Sequence, residues 1–405
     1  MNDDTAAAPF AALLAARRGE PVALLHSGGA GPTWLFTDAV AALTLPAGAV
    51  DGAFARLGGF LAAHADHRVV GWLGYDLGHD VEGWPRTLVD DFPVPVLHVA
   101  AYATCREFAP LPAPPPPPLP AAGPLRAELS RADYERRVAA VVEHIRAGDI
   151  FQANLTQPFT AGFDGDPRAL FWRLGHVSPA PVAAYVEDGQ GTAVLSSSPE
   201  EFLWRDGDEV RTRPIKGTRA RADGAAADAA QLAALLGSEK DLAELAMIVD
   251  LLRNDLGKVA MTGSVQVGPF PEFATFAQVH HLYATVLARL VPGTSAVDLL
   301  RATFPGGSIT GCPKLRCLEI LERLEVARRG VYTGAIGWFG PGPRLHLNIA
   351  IRTLVHRGGR LRGNAGGGVT ALSEPAAEWA ESLAKMAGLE RALQTRVQLP
   401  PEAVA

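Results

Sequence analysis

The sequence predicts an α+β fold built on antiparallel sheets. Strand-like runs come in a group at 182–187, 193–197 and 208–216. A long helical stretch follows at about 239–256, and a second group of strands, at 331–339, 344–354 and 359–365, precedes a last helix at 375–395. Strands in groups, then a helix, then strands again point to antiparallel sheets with the helices set apart, not to alternating βαβ units.

The 405 residues include 48% hydrophobic and 20% charged side chains, with a formal net charge of −6. That is a globular composition, long enough for one large core or two intertwined ones. There is no long basic run, so nucleic acid is not an expected partner. No apolar run is long enough to span a bilayer, and Asp3 and Asp4 stand where a signal peptide carries positive charge. Cys105, Cys312 and Cys317 are odd in number and lack metal-ligand spacing, so they are expected to be reduced thiols of a cytoplasmic protein.

Residues 1–108 mix short apolar runs with glycine, and Gly71-Trp-Leu-Gly-Tyr-Asp76 reads as a strand and turn. Residues 109–126 form a spacer around the consecutive prolines Pro114 to Pro118, expected to run as polyproline II. Residues 127–396 carry the motifs. Ser130 with Asp133 starts a capped helix in which Val138, Val141, Val142 and Ile145 recur at helical spacing, and Gly148 closes it. Ile150–Thr156 alternates as a strand, apolar at Phe151, Ala153 and Leu155 and polar at Gln152, Asn154 and Thr156. Ser238 caps the stretch at 239–256, and further helices are expected at 295–303 and 313–328.

Within this frame Arg211-Thr-Arg-Pro-Ile-Lys-Gly-Thr-Arg219 alternates and then bends at Pro214 and Gly217. Lys216 there is either a solvated hairpin lysine or an amine held for chemistry. Asp241 with Glu244, and Glu378 with Glu381, are carboxylate pairs three apart on helices, each on one helix face. Two such faces brought together would suit Mg²⁺; taken singly they are a capping residue and favourable charges near helix N-termini. Glu200, in Ser198-Pro-Glu200, precedes Lys216 by one strand and could share acid and nucleophile roles with it, or be a turn carboxylate. Gly306–Lys314 and Asn364-Ala-Gly-Gly-Gly-Val369 read as glycine-rich loops that let the backbone approach an anion. Arg352 ends an apolar strand and needs an anion, from a ligand or a salt bridge. His280-His281 has no zinc-type spacing.

From about 130 to 390 the chain resembles the chorismate-utilising enzymes. The resemblance rests on Gly148-Asp-Ile-Phe-Gln-Ala-Asn-Leu155, Ser198-Pro-Glu200, Pro214-Ile-Lys-Gly-Thr218 and Asp241-Leu-Ala-Glu244 with Met247–Asp255. It continues through His281-Leu282, Phe304–Lys314, Tyr332-Thr-Gly334, Arg352, the triple glycine and Glu378-Trp-Ala-Glu381. Lys216 makes it most similar to the aminodeoxychorismate synthase component I branch, since the anthranilate branch has alanine there. The isochorismate and salicylate branches carry a general-base lysine where this chain has Gln152, and an amide cannot deprotonate water.

The resemblance implies a four-layer α/β/β/α sandwich with two orthogonally packed antiparallel sheets, to which residues 1–108 also contribute. It implies that chorismate is aminated with ammonia to 4-amino-4-deoxychorismate, towards p-aminobenzoate and folate. Lys216 would be the nucleophile at C2, Glu200 the acid and later the base, and His281 would lie near the ring. Thr310, Tyr332, Arg352, Lys385 and Gly366, Gly367 and Gly368 would hold the two carboxylates. Glu244 and Glu381 would ligate Mg²⁺, with Asp241 and Glu378 behind them through water. The expected partner is a separate glutamine amidotransferase subunit, because none of the cysteines sits in a Gly-x-Cys-x-Gly elbow. Alternatives are an anthranilate synthase component I-type enzyme, a specialised-metabolism chorismate aminase and a non-catalytic regulatory subunit. Leu245 departs from the polar residue usual in the family. Leu24-Leu-His-Ser27 resembles the segment that holds tryptophan in relatives, although tryptophan feedback is not expected.

Overall fold

The computed structural model describes residues 3–276 and 279–400. One antiparallel ladder passes from the strand Gln152–Gly162 through Arg360–Val369, Thr353–Arg357, Thr192–Ser196, Ala183–Glu187, Val22–His26 and Thr33–Leu45. It continues through Leu97–Phe108, Arg68–Leu73, Ala335–Gly340, Arg344–Ile349, Glu201–Asp206, Glu209–Arg213 and Val286–Arg289. The strands at 22–108 thus sit in the middle of the ladder.

The ladder folds into two sheets because both faces of its strands are apolar. Val22 and Leu24 pack outward against Leu13, Leu170, Leu174, Met386 and Leu389 of three helices. Their neighbours Ala23 and Leu25 face the other way, with Phe36, Val70, Trp72, Ala100, Val194 and Ile336, into a layer between the sheets. On the far sheet Val99, Leu203, Leu345 and Leu347 pack against Phe54, Leu245, Ile248, Leu252 and Leu299 of other helices. The alternation of two puts successive residues into different layers, and four layers result. Trp72 is 0% exposed and donates Nε1–H to the Pro95 carbonyl at 2.9 Å. Its burial alone contributes about 3 kcal/mol.

The helix expected at 239–256 spans Glu239–Gly257, and Ser238 accepts from the Asp241 N–H. Helices at Ala296–Thr303 and Pro375–Leu393 lie as expected, whereas the one expected at 313–328 is Lys314–Leu324. The proline-rich stretch lies on the helix Pro167–Val177: Trp172 Nε1 donates to the Pro114 carbonyl at 2.8 Å. Ala113 is buried and Pro116 and Leu119 half-buried, while Pro112, Pro115 and Pro118 are exposed, which is the three-residue period of polyproline II.

Several expectations are corrected. Phe151 is 66% exposed, and Gln152, Asn154 and Thr156 are buried, because this strand has an element on each face. The stretch 208–216 divides at Pro214, which cannot donate to a ladder, into Glu209–Arg213 and Ile215–Ala220. The strand expected at 331–339 begins at Ala335, after a turn in which Thr333 has φ +60. The stretch 344–354 breaks at Arg352, whose φ of +50 is foreign to a strand.

Candidate active site

Lys216 stands on Ile215–Ala220, the first strand of a separate three-stranded sheet with Val279–Tyr283 and Glu272–Thr275. Its register against Val279–Tyr283 breaks between Lys216 and Thr218. Gly217 lies in the break with φ +72, and a β-carbon there would come within 2.9 Å of Leu235 and 3.0 Å of Asp241. Only glycine fits both the conformation and the space, so the bulge that presents Lys216 is written into Lys-Gly-Thr. His281 is bound into the same bulge through Thr218 Oγ1, 2.8 Å from its Nδ1. Burial, with Arg352 nearby, lowers the imidazole to about 4, so His281 is neutral at pH 7.

The triple glycine is where the predicted residues meet. It is not a loop: Gly366, Gly367 and Gly368 lie inside the strand Arg360–Val369, paired with Thr156, Leu155 and Asn154. The neighbouring strand Thr353–Arg357 ends its pairing opposite Gly363, so from 364 onward this strand is paired along one edge only. A β-carbon on Gly368 would lie 3.2 Å from Lys216 Nζ and 3.1 Å from Gln152 Nε2; one on Gly367 would lie 2.9 Å from Glu378 Oε2 and 3.2 Å from Glu381 Oε1. Absence of side chains there leaves room for the amine and the amide at Gly368 and for the carboxylates at Gly367, and Lys216 feels the charges of Glu244 and Glu381. Gln152 is 0% exposed, and neither end of its amide has a partner among the described residues. A buried amide left so costs about 1–3 kcal/mol, so its two ends are open to a ligand or a water.

Glu200 is 5% exposed and accepts from Ser308 Oγ at 2.5 Å. Burial pushes its carboxyl up to about 7, against the opposing pull of Ser308 and of Lys216. Burial likewise lowers Lys216, opposed by Glu244 and Glu200. The two groups therefore approach each other in proton affinity from opposite sides. Ser308 was not singled out from sequence, since a lone hydroxyl in a glycine-rich run carries no pattern that names its partner.

The carboxylates are raised by burial at Glu244 and at Glu378, whereas at Glu381 burial is outweighed by Lys385, 2.8 Å away, together with Lys240 and Lys216, and the carboxyl is held low. Lys240 lies 3.9 Å from Glu244, and Arg219 3.6 Å from Asp241. Among the described residues no three His, Cys, Asp or Glu side chains converge closely enough to form an ion cage. The donor chemistry nevertheless fits a hard divalent cation. Among the described residues Glu378 Oε2 is buried without a partner, Glu378 raises Glu244 and Glu381 raises Glu378, so the groups are close enough to feel one another's negative charge.

The remaining predicted residues divide. Arg352 is half-buried and has no carboxylate partner among the described residues, leaving its fork for an anion. Lys385 also donates to the Gly366 carbonyl at 2.7 Å. Tyr332 is 6% exposed. Thr310 is 0% exposed and spends its hydroxyl on the Gly306 and Gly307 carbonyls at 3.0 and 3.2 Å, so it shapes its own loop. Leu24–Ser27 contributes to a cavity of about 210 Å³ lined by Leu25, His26, Trp34, Trp338 and Asn348, none of which is in the Lys216 cluster. Leu245 is 0% exposed in the helix–sheet core, which explains the apolar residue there.

Comparison with known proteins adds the following. The chorismate binding enzyme family matches residues 53–391. The chain is 38% identical to the anthranilate synthase component I-like protein of Synechocystis sp., over 80% of this chain and 72% of that one. It is 39% identical to aminodeoxychorismate synthase component 1 of Klebsiella aerogenes, over 78% of this chain and 75% of that one. The structure of anthranilate synthase component I from Streptococcus pneumoniae superposes with a TM-score of 0.76 at 26% identity, covering 89% of this chain and 92% of that one.

Proposed function

The chain belongs to the chorismate binding enzymes, and we propose that it aminates chorismate with ammonia to 4-amino-4-deoxychorismate. The observation that carries this reading is the meeting of Lys216 Nζ and the unpartnered Gln152 amide at Gly368. An amine there can attack carbon, and an amide beside it cannot turn water into a competing nucleophile.

In this reading the Lys216 amine bonds to C2 of the ring, the two ring double bonds shift, and the C4–O bond breaks. Glu200 gives the departing hydroxyl its proton, so that it leaves as water. Ammonia then bonds to C4, the double bonds shift back and the C2–lysine bond breaks. Glu200, now ionised, takes up the proton that the incoming ammonia sheds. Arg352 and the free edge of the glycine strand would hold the substrate carboxylates, and neutral His281 would lie beside the ring. Glu244 and Glu381, with Asp241 and Glu378 behind them, would hold Mg²⁺; when bound, the ion supplies positive charge against a substrate carboxylate in a pocket already crowded with anions. The relatives named component 1 support a second subunit, a glutamine amidotransferase that would supply the ammonia. The route towards p-aminobenzoate and folate follows from the same names. No helix among the described residues is long and apolar enough to cross a membrane.

The test is to incubate the purified chain with chorismate, Mg²⁺ and ammonium salt and to identify the product by mass and ring-proton NMR. The expected product retains the enolpyruvyl ether and carries nitrogen at C4. Anthranilate with pyruvate would place the chain in the other branch, and no turnover would favour a regulatory subunit. Glutamine is expected to replace ammonium only when an amidotransferase subunit is added.

A metal prediction follows from the carboxylates. Excess chelator should abolish turnover, and Glu244→Gln and Glu381→Gln should each weaken Mg²⁺ binding about tenfold or more by calorimetry. Undiminished activity in excess EDTA would remove the metal from the scheme.

A further inference from the structure

Glu200 and Ser308 come from segments 108 residues apart and meet in the interior, 5% and 7% exposed. Ser308 Oγ donates to Glu200 Oε1 at 2.5 Å, and this is the hydroxyl's one side-chain hydrogen bond among the described residues. Its loop is firmly held. Thr310 Oγ1 donates to the Gly306 carbonyl at 3.0 Å, Arg329 donates to the Ile309 carbonyl at 2.9 Å, and the Asn154 N–H donates to the Thr310 carbonyl at 2.8 Å. Arg329 is itself fixed by its buried pair with Glu325 at 2.7 Å. Among the described residues the serine hydroxyl makes no second side-chain hydrogen bond, and its held loop leaves it little freedom to withdraw.

A serine hydroxyl has one hydrogen, and a neutral carboxyl has one proton on one of two oxygens. With the serine hydrogen directed at Oε1, a proton on that oxygen would oppose it. We propose that Ser308 is a positioning residue for the acid, confining the transferable proton of Glu200 to Oε2. The inference rests on the amination reading for what that proton does. As the C4–O bond breaks, the Oε2–H bond breaks with it, the hydroxyl leaves as water, and Ser308 holds the negative charge that appears on the carboxylate. The other groups facing Glu200 are the Ile215 backbone N–H and the ammoniums of Lys216 and Lys385, which also favour the carboxylate. Among the described residues the side-chain hydrogen bond to Oε1 is that of Ser308.

The experiment is an infrared pH titration of the substrate-free protein, with Glu200→Gln as the blank that identifies the Glu200 carboxyl band. In the unaltered chain the band should show a hydrogen-bonded C=O. Ser308→Ala should move it to higher frequency and move its disappearance to higher pH, and Ser308→Thr should restore both. If the alanine variant does not fold, Ser308→Val against Ser308→Thr makes the same comparison at matched shape. In turnover, loss of the hydroxyl should lower kcat about ten- to a hundredfold with the KM for chorismate nearly unchanged. A band and midpoint that ignore removal of the hydroxyl, or that threonine does not restore, would overturn the proposal. The titration needs no substrate, so it can fail while amination stands. Conversely, failure of the unaltered chain to aminate chorismate would overturn the functional reading and leave the infrared result intact.

Discussion

Lys216→Ala is expected to lower 4-amino-4-deoxychorismate formation by on the order of 10³-fold or more, the loss typical when a covalent nucleophile is removed. An ordinary lysine has a pKa of about 10.4, so near pH 7 only about one in a thousand is an amine. Lys216 is not ordinary: it is half-buried at the Gly217 bulge, and burial lowers it. The anions Glu244 and Glu200 oppose that shift, so a neutral Glu200, and the proposed cation at the carboxylates, would both move Lys216 towards the amine. The measurement is mass spectrometry of the Lys216 peptide after quenching with chorismate and no ammonia. An adduct of chorismate less water is expected on Lys216. The alanine variant should give no adduct and, at low rate, anthranilate-type products from direct attack of ammonia at C2. If no adduct forms and the alanine variant keeps near-normal output, Lys216 is a binding residue and the branch assignment fails.

Much of this was legible because the motifs are local. Lys-Gly-Thr encodes a bulge, Ser238 with Asp241 encodes a helix start, and carboxylates three apart must share a helix face. The four layers were implied by the resemblance alone, and the reason for them, strands apolar on both faces that have to be covered twice, is seen in the structure. What was not legible depends on distant partners. The triple glycine reads as a loop until its pairing with Asn154–Thr156 is known; only the strand context shows that the missing side chains make room rather than flexibility. Ser308 acquires a role from a carboxylate 108 residues away. Thr310 gives its hydroxyl to two carbonyls of its own loop, which its place in Gly306–Lys314 does not announce. Arg352 reads as a strand end, and its positive φ is set by the turn it occupies, not by its own preference.

Glu200→Gln is expected to lower turnover about 10²- to 10⁴-fold and, at alkaline pH, to make the protein more stable. Both effects come from one cause. Glu200 is 5% exposed, and burial raises its carboxyl from 4.5 to about 7. Below pH 4.5 the group is protonated in the folded and unfolded chain alike and has no effect on their balance. Between 4.5 and about 7 the unfolded chain ionises while the folded one stays neutral, so stability is lost as pH rises, by on the order of 3 kcal/mol in all. Glutamine does not ionise and suffers no such loss. The difference in unfolding free energy between Glu200→Gln and the unaltered chain should therefore grow in favour of the variant from pH 4.5 to pH 8 and level off above. Titrating groups remote from Glu200 cancel in that difference; Lys216, which the Glu200 charge holds up, does not. In catalysis the same ionisation should appear as an alkaline limb in kcat/KM near pH 7, lost in the variant. A stability difference that stays flat with pH would mean that Glu200 titrates as an ordinary carboxylate. It would then be ionised when chorismate arrives and could not give the departing hydroxyl its proton.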